Sequence, residues 1–360
     1  MYENKIKVFV TSLNRDRKYP HFSRCGYTTH TFFNAFEKYG NVIYSDLESA
    51  EIIFLFVTFL GNDYNFDTVT SELISKFNKP IIIFDYTEYG TYQSEIRLKE
   101  YNLFGYKLEF KDLSSDNSGV LNNFLINNQK LIKCYFKREL SNFIDLSTVP
   151  FKVYPLEFIG DPYTIDENTK IDTKDEYYNR LCIYNFIWGF SNYSRPRLHG
   201  KFLLNMEKFE CKFALSYKQA MNDLKEQKNK FIFLTNHDWY ERVDLNQINA
   251  NSMAVLDLYG CGQKCFRNIE STKNTLSIKQ DPSKVKFTFD WKDGLNCIFL
   301  PVHENMDLDL EKSINILLEY RADKHHLLYD IYLNSIEMNK LYSPKNYVPN
   351  HIILNIKNSL

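Results

Sequence analysis

Residues 258–271, LYGCGQKCFRNIES, place Gly260, Gly262, Lys264, Arg267 and Glu270 directly behind the apolar run 253–258. The run predicts a buried strand, and the residues after Gly262 predict a helix. Backbone amides exposed at a helix N-terminus bind anions, phosphates above all. The two glycines let the main chain approach a ligand closely or take positive φ. Lys264, Arg267 and Glu270 follow one another at spacings of three, so they share one helical face. The two cations can neutralise a diphosphate, and the carboxylate, one turn deeper, can accept two hydrogen bonds from a ribose diol. A glycine-bearing turn followed by a solvated charged face is the other reading of the same residues. Cys265 stands where G-x-G-x-x-G needs its third glycine, and G-x-x-x-x-G-K-[ST] is absent, which disfavours a nicotinamide enzyme and a P-loop ATPase.

Other stretches carry related chemistry. Arg195, Arg197, His199 and Lys201 crowd into residues 188–201, beside Ser191 and Ser194. A guanidinium forks onto two phosphate oxygens, so Arg197, then Arg195, are candidates for the diphosphate. Pro196 equally suits an ordinary helix start. Residues 235–244, TNHDWYERVD, follow a strand and hold His237, Asp238 and Arg242, with Trp239 or Tyr240 able to stack on a base. The long basic stretch 12–30 ends at His30, and IIIFDYTEYG holds Asp85 and Glu88. His30, Asp85 and Glu88 are the candidate catalytic bases, although an aspartate at a strand end often only caps the next helix. Metal binding is not expected. Asp307 and Asp309 form a D-x-D triplet that precedes a helix, and Asp307 reads as its N-cap. Cys261 and Cys265 lack a second pair, and His325 and His326 are adjacent rather than spaced as ligands.

These segments need a scaffold, and the apolar pattern supplies one. Strands are predicted at 7–11, 41–44, 51–57, 80–85, 131–136 and 151–154, with helices over 28–38 and 67–77. After the polar, acidic stretch 157–178 the alternation resumes. Strands are predicted at 181–188, 213–216, 231–235, 253–258 and 297–300, and helices at 196–206, 217–227, 244–251, 309–320 and 324–341. Continuous apolar strands alternating with helices mean parallel sheets covered on both faces. The expected fold is α/β: two Rossmann-like, doubly wound domains facing a cleft, over 1–156 and 179–342. Residues 157–178 form the linker, and 343–360 the C-terminal tail. Ligands in such sheets bind outside the carboxyl ends of the strands, where the segments above begin.

The 360 residues, 44% of them hydrophobic, suffice for two cores. A net charge of −1, from 44 basic and 45 acidic residues, gives no global field for a polyanion. Seven scattered cysteines suit a reduced, cytoplasmic setting better than a disulfide framework. The longest apolar run, 52–60, is too short to span a bilayer, and the start of the chain leads straight into a strand with no signal peptide.

The stretch Tyr259–Glu270, behind its apolar strand, resembles the donor-binding segment of exostosin-like and related GT-B glycosyltransferases: strand, G-x-G, an arginine, then a glutamate. The resemblance covers that segment well and the two-domain architecture loosely. It implies that the C-terminal domain binds a nucleoside-diphosphate sugar through Tyr259, Gly260, Gly262, Lys264 and Arg267, with Glu270 on the ribose. It implies that the 188–201 loop lends a basic residue to the diphosphate, and that the N-terminal domain offers the acceptor face, with the tail 343–360 packing back on it. The expected activity is transfer of a hexosyl or pentosyl group to a hydroxyl acceptor, a glycan or a modified DNA base, with no cofactor and no metal. After the glutamate the family continues A-L-x-x-G-x-I-P, whereas this chain reads Ser271–Ile278. That departure leaves a second reading, a non-catalytic nucleotide or nucleotide-sugar binder on the same fold. A third is an interaction protein with no small ligand.

Overall fold

The structure, a computed structural model, describes residues 5–12, 34–57, 76–86, 120–138, 140–142, 144–157, 170–180, 182–187, 212–214, 232–234, 249–257, 274–283, 285–303 and 308–360. The chain divides into two compact units. The first comprises Met1–Pro162, Ser283–Thr288 and Tyr342–Leu360; the second comprises Tyr163–Pro282 and Phe289–Leu341.

The first unit is built on six strands: β1 (Ile6–Ser12), β2 (Val42–Tyr44), β3 (Ile52–Val57), β4 (Ile81–Asp85), β5 (Ile132–Lys137) and β6 (Lys152–Pro155). They lie in the order β2-β1-β3-β4-β5-β6, and every ladder is parallel. All six residues of β3 and all five of β4 are buried, which is why both read as unbroken apolar runs. The two faces differ in chemistry. One is aromatic: Phe84 stacks on Phe56 at 4.9 Å and on Phe136 at 5.2 Å, and Phe36 meets Phe54 and Phe84 edge-on. The other is aliphatic, where Ile53, Leu55, Ile81 and Ile83 pack against Leu121, Phe124 and Leu125 of α1 (Val120–Asn127).

The end of the chain completes this unit. Helix α5 (Pro344–Tyr347), a π-helical turn at Val348–Ile353 and α6 (Leu354–Lys357) follow one another, with α6 against β5. Pro349 has no N–H to offer the helical ladder, and the ladder widens around it. The Tyr347 hydroxyl accepts from the Glu157 amide at 2.9 Å, and the Lys152 ammonium donates to the Asn358 carbonyl at 2.7 Å. His351 Nε2 lies 2.9 Å from the Pro155 carbonyl. The short excursion 283–288 joins the same unit: the Thr288 amide donates to Glu157 Oε1 at 3.0 Å, and Ser141 pairs with Val285 in an antiparallel bridge.

The second unit opens with α2 (Lys174–Tyr178), followed by β7 (Cys182–Ile187), β8 (Lys212–Ala214), β9 (Ile232–Leu234), β10 (Ser252–Asp257), β11 (Leu276–Gln280) and β12 (Ile298–Leu300). The helices α3 (Leu310–Ala322) and α4 (Leu328–Leu341) follow. The sheet order is β12-β11-β10-β7-β9-β8, again with parallel ladders throughout. Its core sets Ala254, Leu256, Leu276 and Ile278 against Ile314, Leu317, Ile331 and Tyr332 of α3 and α4. The expected doubly wound parallel architecture is therefore present in each unit.

Two local differences from the sequence reading have physical causes. Residues 174–178, assigned to the linker on polarity, form α2. Thr173 Oγ1 accepts from the Glu176 amide at 3.3 Å while Glu176 Oε2 accepts from the Thr173 amide at 2.8 Å, a reciprocal capping box. Tyr177 is fully buried in the second core, and the Arg180 guanidinium lies over its ring at 4.9 Å. The second difference is β11, which no apolar pattern announces because Ser277, Lys279 and Gln280 are buried polar residues.

The α2 cap carries a pH prediction. The hydrogen bond from Lys170, then those from Thr173, bring the Glu176 carboxyl down from 4.5 to about 2. A carboxyl lowered by folding stabilises the fold above its ordinary value, and that contribution is lost as pH falls from 4.5 towards 2. A carbon-detected NMR titration of Glu176 is expected to show a midpoint near 2, and Thr173→Ala is expected to raise it. A wild-type midpoint at the ordinary value removes the cap from the account of α2.

Candidate functional site

Strand order decides where ligand-binding segments begin. In a doubly wound sheet the ligand lies beyond the carboxyl ends of the strands, at the point where the winding reverses. In the second unit the chain starts at β7 and fills one side with β8 and β9. It then fills the other with β10, β11 and β12, so the reversal lies between β7 and β10. Three neighbouring strands, β10, β7 and β9, end on the same edge of the sheet. Val255 is the register partner of Asn185, and Ile187 that of Leu234. From Asp257 the chain runs into 258–270, from Ile187 into 188–201, and from Leu234 into 235–244.

The residues singled out in those stretches lie outside the described residues: Arg195, Arg197, His237, Arg242, Tyr259, Gly260, Gly262, Lys264, Arg267 and Glu270. His30 and Glu88 of the first unit lie outside them too. What the structure brings together is the set of strand ends from which the donor candidates depart.

Asp85 is described. It sits at the carboxyl end of β4, fully buried, with Oδ2 2.9 Å from the Lys137 ammonium and accepting a hydrogen bond from the Tyr135 hydroxyl. Tyr135 and Lys137 stand two apart on β5, so both point to the same face and converge on the one carboxylate. A base must reach its substrate's proton within hydrogen-bond distance, and this carboxylate is instead held inside the sheet by a cation and a phenol. The next residue, Tyr86, is also buried, and burial pushes its hydroxyl well above the ordinary range, so it stays protonated.

The end of β10 has a similar arrangement. Asp257 Oδ2 accepts from the Lys279 ammonium at 2.8 Å, with side chains 1% and 3% exposed. The same ammonium lies 4.3 Å from the centroid of the Trp291 ring. Asp257 and Lys279 are register partners on β10 and β11, as Asp85 and Lys137 are on β4 and β5. Lys137, Lys279, Tyr135 and Trp291 were not legible as parts of these sites. The one available signal is a lysine closing an apolar run, Leu131–Phe136, where a surface residue would be out of place.

Among the described residues, no group of three or more histidine, cysteine, aspartate or glutamate side chains is placed to hold a metal ion, and no helix is long and apolar enough to cross a membrane.

The sequence matches no protein-family model and no curated protein. The chain is similar in structure to HepE from Anabaena, solved in complex with UDP and glucose. That likeness has 8% identity, 98% of this chain and 100% of that chain covered, and a TM-score of 0.48. It is also similar to the trehalose-6-phosphate synthase OtsA, with 11% identity, 99% and 100% covered, and a TM-score of 0.47. A third similar structure is a UDP-glucosyltransferase from Polygonum tinctorium, with 8% identity, 98% and 99% covered, and a TM-score of 0.44. The doubly wound character of each unit stands on its own strand order, β2-β1-β3-β4-β5-β6 in the first and β12-β11-β10-β7-β9-β8 in the second.

Proposed function

We propose that the protein is a glycosyltransferase that takes a sugar from a nucleoside-diphosphate donor held by its second unit. The observation that carries this reading is the adjacency of β10, β7 and β9, whose carboxyl ends lead into the three stretches bearing Lys264, Arg267, Glu270, Arg195, Arg197, His237 and Arg242. Cations carried on segments that leave the strands beside the winding reversal suit a diphosphate. In the proposed reaction an acceptor hydroxyl displaces the nucleoside diphosphate at the anomeric carbon. Lys264, Arg267 and Arg197 take up the charge of the leaving group, and fixed cations do here what a metal ion does elsewhere. Glu270 accepts from the ribose hydroxyls. The acceptor is a glycan or a modified DNA base, and Glu88 or His30 removes its proton, since Asp85 is committed to Lys137 and Tyr135.

Thermal-shift screening against UDP-, GDP- and CMP-linked sugars, followed by assay of donor hydrolysis, tests the reading. At least one donor is expected to raise the melting temperature and to be turned over, and silence across the panel sinks the proposal. Glu270→Ala is expected to weaken nucleotide binding by about 1–3 kcal/mol, the usual cost of losing charged hydrogen bonds. An unchanged dissociation constant removes Glu270 from the site. A second reading, a nucleotide-sugar binder without turnover, is favoured by the burial of Asp85 in an ion pair. Binding of a donor with no hydrolysis and no transfer would decide for it.

A further inference from the structure

Two buried ion pairs occupy one position in two different sheets. Counted from β2 in the first sheet and from β8 in the second, the acid stands on the fourth strand and the lysine on the fifth in both: Asp85 on β4 with Lys137 on β5, and Asp257 on β10 with Lys279 on β11. In each case the acid is the last residue of its strand, and the chain leaves it towards a candidate segment. The ammonium–carboxylate distances are 2.9 and 2.8 Å, and no member is more than 3% exposed.

Stability does not account for this recurrence. Taking two charges out of water costs about as much as their attraction returns, and well-packed apolar residues of similar size commonly do as well or better. The residues ahead of the acids are mostly apolar: Ile81–Phe84 in β4 and Met253–Leu256 in β10. What the charges add is register. A slip of one residue would turn one charge to the opposite face and leave both buried apart, an error the apolar contacts penalise less sharply. In the second unit the ammonium is fixed from another side by the Trp291 ring.

We infer that the Asp257–Lys279 pair is a positioning device for the donor segment: it pins Asp257, the residue after which 258–270 begins, in a single register. The inference rests on the reading of that segment as a nucleotide site. Its test is the double variant Asp257→Leu/Lys279→Met, titrated calorimetrically with whichever of UDP, GDP and CDP the wild-type protein takes up. The variant is expected to melt close to the wild-type temperature and to bind the nucleotide roughly ten-fold more weakly, the scale of loss that small misplacements of a site produce. Wild-type affinity in a folded double variant overturns the positioning role and leaves the nucleotide site standing. A wild-type protein that takes up none of the three nucleotides overturns the reading of the segment, and the role of the pair with it. Should the double variant fail to fold, Asp257→Asn, which keeps the shape of the side chain and removes its charge, is read by the same titration: weaker binding supports the role, and unchanged binding overturns it.

Discussion

Truncation at Leu341 is expected to abolish the cooperative unfolding of the first unit while the second keeps its own transition. The residues removed include Tyr342, Tyr347, Val348, Ile352, Ile353 and Ile356, all buried. Fully burying an apolar side chain contributes about 1.5–3 kcal/mol, so the tail accounts for on the order of ten kcal/mol of gross burial, as much as the entire net stability of an ordinary domain. Polar groups lose partners as well: the Glu157 amide loses the Tyr347 hydroxyl, and the Pro155 carbonyl loses His351. Phe136 and Tyr154 would face water where the His351 ring now lies edge-on to them. Hydrogen exchange distinguishes the units. Amides of β3, β4 and β5 should exchange within the dead time in the truncated chain, while those of β10 and β11 stay protected. Undiminished protection in β4 and β5 would refute the structural role of the tail. A peptide spanning 342–360, added back, is expected to restore it.

Lys137→Met is expected to cost about 3–5 kcal/mol, the penalty for leaving a buried charge without its partner. Asp85 is fully buried and Lys137 is its register partner, so no water stands ready to take the place of the ammonium. The Tyr135 hydroxyl would still donate to the carboxylate, but a neutral phenol does not neutralise its charge. Asp85→Leu/Lys137→Met should recover most of the loss, because an apolar pair of similar volume carries no desolvation cost. Urea denaturation of the two variants measures both numbers. Equal stability of the single variant and the wild type would mean that the pair is solvated in solution, against its burial in the structure.

Some of this could be read from the residues and some could not, for physical reasons. The strands β3, β4 and β10 are buried on both faces, and such strands are unbroken apolar runs that need no tertiary information to find. β11 hid because its burial depends on a partner: Lys279 is tolerable inside only where Asp257 waits 22 residues earlier in the chain, and that meeting follows from strand order rather than from local pattern. The same logic hid the commitment of Asp85. Its place at a strand end was visible, but the lysine that occupies it lies on a strand whose neighbour only the sheet topology reveals. Helix α2 was lost in an acidic stretch, although T-x-x-E at Thr173 and Glu176 was there to be read as a cap. For the donor residues, the sequence supplied the chemistry of 188–201, 235–244 and 258–270, and the sheet supplied the adjacency of the strand ends they leave.

The first unit is assembled from three separate pieces of chain, the last of which is Tyr342–Leu360. Ribosomes deliver the chain from its amino end, and domains generally fold as units in that order during synthesis. Here the order is inverted. The part that emerges first must wait, with the faces of β5 and β6 uncovered, until residues 342–360 are translated, whereas the part that emerges second is already whole. The nascent protein thus passes through an interval in which its older half is the unfinished one, and that half is where a chaperone would find something to hold.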